Sequence, residues 1–394
     1  MLEKRNILLG VTGSIAAYRA VDLVRRLIDE GAGVRVVMTE SACRFVTPYL
    51  FETISGNPVG TDLFADPFTH ITLAKESHLF VIAPATANTI NKISCGIADN
   101  LLSTLWLAYE GPALIAPAMN SRMYRHPTVQ KNIVAMEKAG VTFVGPETGS
   151  LACGEEGEGR MADIPDIVDA ALTTLASRDL ADQNILITAG PTRESIDPVR
   201  FISNRSSGKM GYSLARAACR RGARVTLISG PSALRPPAGV TFVPVTTAME
   251  MQKAVQRCLN RSTAVVMAAA VSDYAPAETA QVKLKKKDAT SIKLKKTPDI
   301  LKGIGRSRGK RVLVGFAAES GRGLASAKQK LKEKNCDLIV LNDISREGAG
   351  FDVDTNQVTM IDRGGRVTDY PLMQKADVAD IILDRINEMK RKGK

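Results

Sequence analysis

The sequence predicts an α/β protein built from two domains, each a parallel sheet between two layers of helices. Two observations predict this class. Buried strand-like runs alternate with amphipathic helical patterns, and a polar stretch over 171–183 interrupts the alternation before it begins again. A chain of 394 residues is long enough for two such domains. We therefore predict one domain over 1–180 and a second over 181–394.

The first half begins with a strand over 6–12, followed by Gly13-Ser14 and an amphipathic helix from Ile15 to Glu30. Gly31 ends that helix. Later strands are predicted over 34–39, 78–86, 112–120 and 141–147. Polar residues follow the middle two of these strands, and ligands of open α/β sheets bind beyond such carboxyl ends.

The second half repeats the pattern, so both domains are expected to be Rossmann-like. A long polar loop over 191–207 precedes a helix from Gly208 to Arg221, and the chain ends in a basic amphipathic helix over 376–394. Strands are predicted over 185–190, 224–230, 264–274, 312–319 and 337–343.

Composition indicates a soluble globular protein of the cytoplasm. Hydrophobic residues make up 44% and charged residues 24%, and no run approaches the roughly 20 apolar residues of a membrane span. The amino terminus offers no cleavable apolar segment. The six cysteines form no CxxC pair, and the three histidines lack metal-ligand spacing. We therefore expect neither a disulfide framework nor a zinc site.

The net charge of +12 belongs to the second half. Residues 1–180 hold 15 Lys and Arg against 20 Asp and Glu, whereas residues 181–394 hold 38 against 21. Seven lysines lie between Lys283 and Lys296, a cluster that a polyanion would stabilise. Nucleic acid and a nucleoside triphosphate both fit. Aromatic residues for stacking are absent from this run, so we expect no nucleic-acid partner.

Four motifs of the first half would meet at one edge of the sheet. Gly13-Ser14 opens a helix, where free N–H groups favour an anion. Small residues and amides follow the next strands in Ala83–Asn88 and Pro117–Met123. A glycine-rich stretch with one thiol, Leu151–Met161, suits a lid that carries a reactive group. The chain lacks GxGxxG and GxxxxGK, which disfavours a dinucleotide dehydrogenase or a P-loop protein.

These motifs, with a histidine before the third strand, resemble the flavin-containing cysteine decarboxylases, specifically the phosphopantothenoylcysteine decarboxylases. The resemblance implies a flavodoxin-like domain in which FMN oxidises the substrate's thiol, CO₂ leaves and the hydride returns. It implies that His70 is a base or orients the carboxylate, that Asn120 holds the carboxylate and that Cys153 donates a proton. The implied flavin contacts are Gly13, Ser14, Ile15, Thr39, Thr86, Asn88, Ser103 and Met119.

The second half carries its own set of motifs. The stretch Ile187–Glu194 follows a strand, and Ser203–Gly211 opens a helix with hydroxyls, an amide and two cations. The stretch Ala269–Tyr274 ends another strand with the carboxylate of Asp273. A helix amino terminus of this kind is a good anion site. The carboxylate of Asp273 could bind a sugar hydroxyl, a base edge or Mg²⁺.

These stretches, with TPDIL and GFAAE, resemble phosphopantothenate–cysteine ligase. The resemblance implies that the carboxylate of 4′-phosphopantothenate attacks the α-phosphorus of CTP, with Mg²⁺, to give an acyl-cytidylate that cysteine then attacks. Asn204 would stabilise that intermediate, and Lys283 would act on it and on the phosphates. The other implied CTP contacts are Asp273, Pro298, Asp299, Ile300, Leu301, Phe316, Lys330 and Lys334.

The resemblance also implies a homo-oligomer that combines decarboxylase trimers with ligase dimers, with a dodecamer as one such assembly. One alternative keeps the fold but makes the first domain a non-catalytic flavin-binding module. The joint presence of His70, Asn120 and Cys153 argues against it.

Overall fold

The computed structural model describes residues 2, 4–150, 154–285, 291–319, 323–343, 350 and 353–392. The chain divides into two compact units, Met1–Ala176 and Ser177–Lys394. The predicted linker over 171–183 was partly wrong, because residues 171–175 complete a helix whose apolar face is buried. Each unit is an α/β domain, so the predicted fold class is confirmed.

The first unit is built on a five-stranded parallel sheet in the order β2-β1-β3-β4-β5. Its strands are β1 (Asn6–Val11), β2 (Gly33–Met38), β3 (Leu79–Ala85), β4 (Ala113–Pro117) and β5 (Thr142–Phe143). An antiparallel hairpin follows, formed by β6 (Glu147–Ser150) and β7 (Glu156–Arg160). The predicted strand over 141–147 is therefore shorter, since Glu147 already belongs to the hairpin.

Helices cover both faces of this sheet because its central strands carry apolar residues on both sides. Ile7 and Leu9 pack toward the helices over 19–29, 48–55 and 164–175, whereas Leu8 packs toward those over 69–76, 87–94, 101–108 and 127–138. A 3₁₀ turn, Ile15–Tyr18, leads into α1. The helices are α1 (Arg19–Asp29), α2 (Glu40–Cys43), α3 (Pro48–Ser55), α4 (Thr69–Glu76), α5 (Ala87–Ser94), α6 (Leu101–Ala108), α7 (Ser121–Tyr124), α8 (Pro127–Lys138) and α9 (Ile164–Leu175).

The second unit is built on an eight-stranded sheet in the order β12-β11-β8-β13-β16-β17-β19-β20. The first six strands are parallel and the last two antiparallel. The strands are β8 (Asn184–Ala189), β11 (Arg224–Ser229), β12 (Thr241–Pro244), β13 (Ala264–Met267), β16 (Val312–Glu319), β17 (Leu338–Asp343), β19 (Val358–Asp362) and β20 (Val367–Asp369).

In the described part of this unit, three two-stranded ribbons and five helices complete the fold. The ribbons are β9 (Arg193–Ser195) with β10 (Phe201–Ser203), β14 (Tyr274–Pro276) with β15 (Leu294–Lys296), and β18 (Thr355–Asn356) with β21 (Met373–Gln374). The helices are α10 (Lys209–Arg220), α11 (Ala248–Leu259), α12 (Ile300–Arg306), α13 (Leu324–Glu333) and α14 (Lys375–Lys392). One face of the sheet packs on α10 and α14, and the other packs on α11, α12 and α13.

Two sequence predictions for this unit were wrong. The stretch over 191–207, predicted as a polar loop, contains the β9–β10 ribbon. Asp197 stabilises the turn of this ribbon, since its carboxylate accepts hydrogen bonds from the backbone amides of Val199 and Arg200 at 2.9 and 2.8 Å. The predicted strand over 264–274 ends at Met267, and Tyr274 begins a separate ribbon.

In both sheets the strand order reverses at the first strand of the unit, so that the next two strands of the chain lie on opposite sides of it. In the first unit β1 lies between β2 and β3, and in the second β8 lies between β11 and β13. Helices that follow neighbouring strands then leave on opposite faces, which opens a crevice at the carboxyl ends of those strands. Most of the predicted site residues lie at these two crevices.

Candidate active sites

A cavity of about 850 Å³ lies at the carboxyl ends of β1, β3 and β4 in the first unit. Each of these strands is followed by a residue that caps a helix and lines the cavity. The side chains of Ser14, Thr86 and Asn120 accept bonds from backbone amides at 3.3, 3.3 and 2.8 Å. Three helix amino termini therefore meet at one cavity and give it an affinity for anions.

The buried hydroxyl of Thr12 joins two of these strand ends. It donates a hydrogen bond to the carbonyl oxygen of Pro84 at 2.7 Å and accepts one from the amide of Thr86 at 3.0 Å. Sequence reasoning missed Thr12, although it directly precedes the Gly13-Ser14 pair. Its position fixes the spacing of the first two helix termini.

Six of the ten residues predicted by resemblance in the described part of this unit line the cavity: Gly13, Ser14, Ile15, Thr86, Met119 and Asn120. The structure does not bring the other four to it. Thr39 caps α2, and Asn88 is exposed on α5. Ser103 is buried in the capping box of α6. His70 lies on α4, and its buried Nδ1 has no partner among the described residues. Cys153 lies outside the described residues.

The β6–β7 hairpin forms another wall of the cavity. The backbone amide of Met119 donates to the carbonyl oxygen of Gly159 at 3.0 Å, and the side-chain amide nitrogen of Asn120 donates to the carboxylate of Glu155 at 3.2 Å. Ser150 and Arg160 line the cavity from the hairpin itself. The strands that flank residues 151–153 are thus fastened to the end of β4.

Arg19 is a cavity residue that the sequence analysis missed. Its guanidinium donates to the carbonyl oxygen of Met161 at 2.7 Å and to the carboxylate of Asp163 at 3.0 Å. Arg160 pairs with Glu147 and with Asp163. This ion-pair cluster joins the start of α1 to the end of the hairpin. The sequence pattern around Arg19 did not predict this cluster, because the partners of Arg19 are more than 140 positions away in the chain.

Two adjoining cavities lie at the carboxyl ends of β13 and β16 in the second unit. The α10 cavity, about 390 Å³, includes the amino terminus of α10, and the α12–α13 cavity, about 440 Å³, includes residues of those two helices. Both are lined by Ala269, Val271, Asp273, Phe316 and Lys330. They therefore form one crevice across the edge of the sheet.

The structure gathers nearly all the residues predicted to bind the nucleotide. The α12–α13 cavity is lined by Asp273, Pro298, Asp299, Ile300, Leu301, Phe316, Lys330 and Lys334. These residues come from four separate stretches of the chain. Lys283 is the exception: it is exposed and lines neither cavity.

Two lysines on α13 and its carboxyl end give the crevice positive charge. The ammonium of Lys330 donates to the carbonyl oxygen of Phe316 at 2.8 Å. Burial, and then repulsion from Lys334, lowers the pKa of Lys330 below its ordinary value of 10.5. Lys334 pairs with Asp299. Burial acts to raise the pKa of Asp299, but the hydrogen bonds from Lys334 and from the amide of Lys302 outweigh it and lower that pKa.

Asn204 lies where the α10 cavity meets the end of β13. Its amide nitrogen donates to the carbonyl oxygens of Val271 and Ala270 at 3.0 and 3.4 Å. Gly208 precedes α10 with a φ of 83°, a left-handed conformation that favours glycine. That turn lets the loop after Asn204 enter the helix with its first amides at the cavity.

The α10 cavity also includes polar side chains to which the sequence analysis gave no role, among them Asn342, Asn356 and Lys375. Asn342 lies in a predicted strand, which was a weak signal. Asn356 and Lys375 had none, because the β18–β21 ribbon that carries or precedes them is set by long-range pairing.

Among the described residues, no group of three or more His, Cys, Asp and Glu side chains could hold a metal ion. No helix in that part of the chain is long and apolar enough to cross a membrane.

Two family models match the chain over nearly its whole length. The Flavoprotein family matches residues 1–176, and the C-terminal domain of the DNA/pantothenate metabolism flavoproteins matches residues 180–389. The coenzyme A biosynthesis bifunctional protein CoaBC of Bacillus subtilis is 47% identical over 395 residues, covering 98% of this chain and 97% of that protein. Its Escherichia coli counterpart is 44% identical over 396 residues, covering 98% and 97%.

The chain belongs to the CoaBC family. It is thus a bifunctional enzyme of coenzyme A biosynthesis with phosphopantothenoylcysteine decarboxylase and phosphopantothenate–cysteine ligase activities, which confirms both resemblances seen in the sequence. Solved structures are similar to each part. The C-terminal domain of a CoaBC protein is 44% identical, covering 55% of this chain and 100% of that chain, with a TM-score of 0.48. An FMN-dependent cysteine decarboxylase, SpaF, is 30% identical, covering 43% and 99%, with a TM-score of 0.39.

Proposed function

We propose that the decarboxylase site is the cavity of the first unit and that its flavin is FMN. The residues present fit that group. The amino terminus of the helical run that begins at Ile15 and the hydroxyls of Ser14 and Thr86 suit the phosphate. The apolar side chains of Met119 and Met161 suit a flat ring. A cysteine decarboxylase of similar structure is FMN-dependent, which supports the same choice.

FMN, when bound, supplies the oxidation of the substrate's thiol and the return of the hydride after CO₂ has left. The chain's own residues orient the substrate and move protons. Asn120 holds the substrate carboxylate beside Glu155. His70 does not line this cavity, so its role as the base or as a second carboxylate-orienting group is proposed from the family resemblance alone. Cys153 donates the proton that completes reduction, since an ordinary thiol is mostly protonated at neutral pH.

Flavin binding should depend on the absence of a side chain at Gly13. A Cβ there would lie 2.5 Å from the Cβ of Ser41 on α2. Gly13→Ala should therefore displace the turn that begins the phosphate site and weaken FMN binding by about ten-fold. The measurement is titration of the apoprotein with FMN by fluorescence quenching.

Gly303→Ala is the matched control, because a Cβ at Gly303 would meet nothing within 4 Å. Its FMN affinity should equal that of the wild type. Equal affinity in Gly13→Ala would contradict the placement of the phosphate at this turn.

In the second unit we propose that CTP occupies the α12–α13 cavity and 4′-phosphopantothenate the α10 cavity. One observation carries this proposal. All the predicted CTP contacts except Lys283 line the α12–α13 cavity, although they come from four separate stretches of the chain, and the adjoining α10 cavity contains Asn204. The carboxylate of the acyl substrate would attack the α-phosphorus of CTP where the cavities meet. Pyrophosphate would leave, and the amine of cysteine would then displace CMP.

Positive charge near this junction suits such a reaction, because charge neutralisation and positioning dominate phosphoryl chemistry. Lys330 and Lys334 would face the triphosphate, and Lys283 would act on the intermediate from its exposed segment. Mg²⁺ would bind mainly to the triphosphate, since it prefers phosphate oxygens with one or two carboxylates. Asp273 is the carboxylate that lines both cavities and fits this role.

We further propose that copies of the chain associate, as decarboxylase trimers and ligase dimers do in the family. Large apolar side chains of the first unit are exposed, with 86% of Phe64, 76% of Tyr49 and 69% of Phe68 accessible. Contacts between copies of the chain would remove such side chains from water.

An isotope experiment tests the ligase proposal. The protein is given 4′-phosphopantothenate with ¹⁸O in its carboxylate, cysteine, Mg²⁺ and each of CTP, ATP, GTP and UTP in turn. We expect turnover with CTP, one ¹⁸O in the CMP released and unlabelled pyrophosphate. Release of CDP and labelled phosphate would mean attack at the γ-phosphorus and would reject the acyl-cytidylate.

The KM for CTP at alkaline pH should report the deprotonation of Lys330. Because its charged form binds the triphosphate and its pKa is lowered, the KM for CTP should rise as pH increases, starting below the range of an ordinary lysine. Lys334→Gln removes a repulsive neighbour and should move this rise to higher pH. The measurement is KM for CTP across pH 7 to 10.5 for both proteins. An unmoved rise in the variant would contradict this assignment.

A further inference from the structure

Two buried amide oxygens of the α10 cavity have no partner among the described residues. They are Oδ1 of Asn342, near the end of β17, and Oδ1 of Asn356, in β18. Asn342 is 9% exposed and Asn356 is 2% exposed. A buried acceptor without a donor costs free energy, so native proteins rarely leave one unsatisfied without a reason. Two such acceptors in one cavity indicate a ligand that donates hydrogen bonds.

Two lysines that line the same cavity already have partners. Lys209 pairs with Asp354 at 2.8 Å. Lys375, which is 5% exposed, donates to the carbonyl oxygens of Gly350, at 3.0 Å, and Val353. The two asparagine oxygens are therefore unused acceptors in a cavity whose lysines are already engaged.

The ligands of the ligase differ in what they can offer such acceptors. The triphosphate of CTP presents acceptors only, and the donors of CTP lie on its ribose and cytosine, which are proposed to occupy the α12–α13 cavity, where neither asparagine lies. 4′-Phosphopantothenate carries a hydroxyl and an amide N–H between its two charged ends, which makes two neutral donors in its middle. Taking the proposed ligase function as given, we propose that Asn342 and Asn356 accept hydrogen bonds from the hydroxyl and the amide N–H of the acyl substrate. They are then the residues that select this substrate.

Two substrate analogues test the assignment on the wild-type enzyme. In one analogue hydrogen replaces the hydroxyl, and in the other an ester oxygen replaces the amide N–H. A site built to accept a donor disfavours a ligand that lacks it, so kcat/KM should fall by about ten-fold or more for each analogue. The KM values for CTP and cysteine should stay unchanged.

Variants then assign each donor to its acceptor. Asn342→Leu and Asn356→Leu should each raise the KM of the natural substrate and abolish discrimination against one analogue while retaining it against the other. Asn342→Asp and Asn356→Asp keep an acceptor oxygen and should restore that discrimination. Rescue by the carboxylate separates an acceptor role from a purely structural one.

Three results would overturn the proposal. Equal kcat/KM for both analogues and the natural substrate on the wild type would reject it while leaving CTP-dependent ligation intact. A rise in KM for CTP or for cysteine alone in the leucine variants would assign the asparagines to those ligands. Discrimination that persists unchanged in the leucine variants would place the donors elsewhere. Failure of the proposed ligase function is a separate result, namely no ligation with CTP by the wild type. If a variant does not fold, the wild-type comparison still decides.

Discussion

Asn204→Ala is expected to lower the rate of phosphopantothenoylcysteine formation by about 10²- to 10³-fold, the usual cost of losing one oriented dipole at a site where charge develops. The side chain is oriented by bonds to the carbonyl oxygens of Val271 and Ala270 at the end of β13. Alanine removes both the dipole and this connection to the loop. The measurement is kcat and KM for pyrophosphate release, with decarboxylation of supplied phosphopantothenoylcysteine as the internal reference.

Asn260→Ala is the matched control for this variant. Asn260 is an exposed residue at the end of α11 in the same unit and lines neither cavity. It should retain wild-type ligase kinetics. If Asn204→Ala also retains them, the junction of the two cavities is not the place of acyl activation. A change in KM for CTP alone would make Asn204 a nucleotide-binding residue.

Asn120→Asp is expected to lower decarboxylation by about 10²-fold or more while leaving ligation unchanged. Aspartate caps a helix as well as asparagine does, so α7 should keep its amino-terminal bond to the amide of Arg122. The variant instead loses an N–H donor and gains a negative charge beside Glu155. Both changes oppose binding of the substrate carboxylate. The measurement is CO₂ release from supplied phosphopantothenoylcysteine.

Flavin content and a second amide-to-carboxylate change make this test specific. Asn132→Asp alters an amide on α8 that bonds to Asn91, away from the cavity lining. It should bind FMN and decarboxylate as the wild type does. Wild-type CO₂ release by Asn120→Asp would show that this side chain does not hold the carboxylate.

Most of the fold could be predicted from the sequence, because the strands and helices of each sheet have local sequence patterns. Apolar runs such as Asn6–Val11 form strands buried on both faces, and amphipathic helices follow them. Candidate site residues just beyond these strands, such as Ser14 and Asn120, line the cavity for the same reason: parallel strands end at one edge. Because these residues come just after the strands in the chain, they are expected at that edge of the sheet.

Other features depend on contacts between distant segments, and no local pattern reveals them. The ion pairs of Arg19 and the acceptors Asn342 and Asn356 belong to this group. The β9–β10 ribbon was predicted as loop because its three-residue strands are too short to show an alternation. The resemblance names Thr39 and Ser103 as flavin contacts, which stays a prediction: their side chains cap α2 and α6, and neither residue lines the cavity.

The two candidate sites lie in separate units, so a variant at either site should lose one activity and keep the other. The decisive measurement is mass spectrometry of the products formed from 4′-phosphopantothenate, cysteine, CTP and Mg²⁺ by the wild type, by Cys153→Ser and by Asn204→Ala. We predict 4′-phosphopantetheine, CO₂, CMP and pyrophosphate from the wild type. Cys153→Ser should still consume CTP but stop before 4′-phosphopantetheine. Asn204→Ala should form 4′-phosphopantetheine only when phosphopantothenoylcysteine is supplied. Loss of both activities in either variant would contradict two independent sites, and a wild type that binds FMN yet yields neither product would contradict the bifunctional account itself.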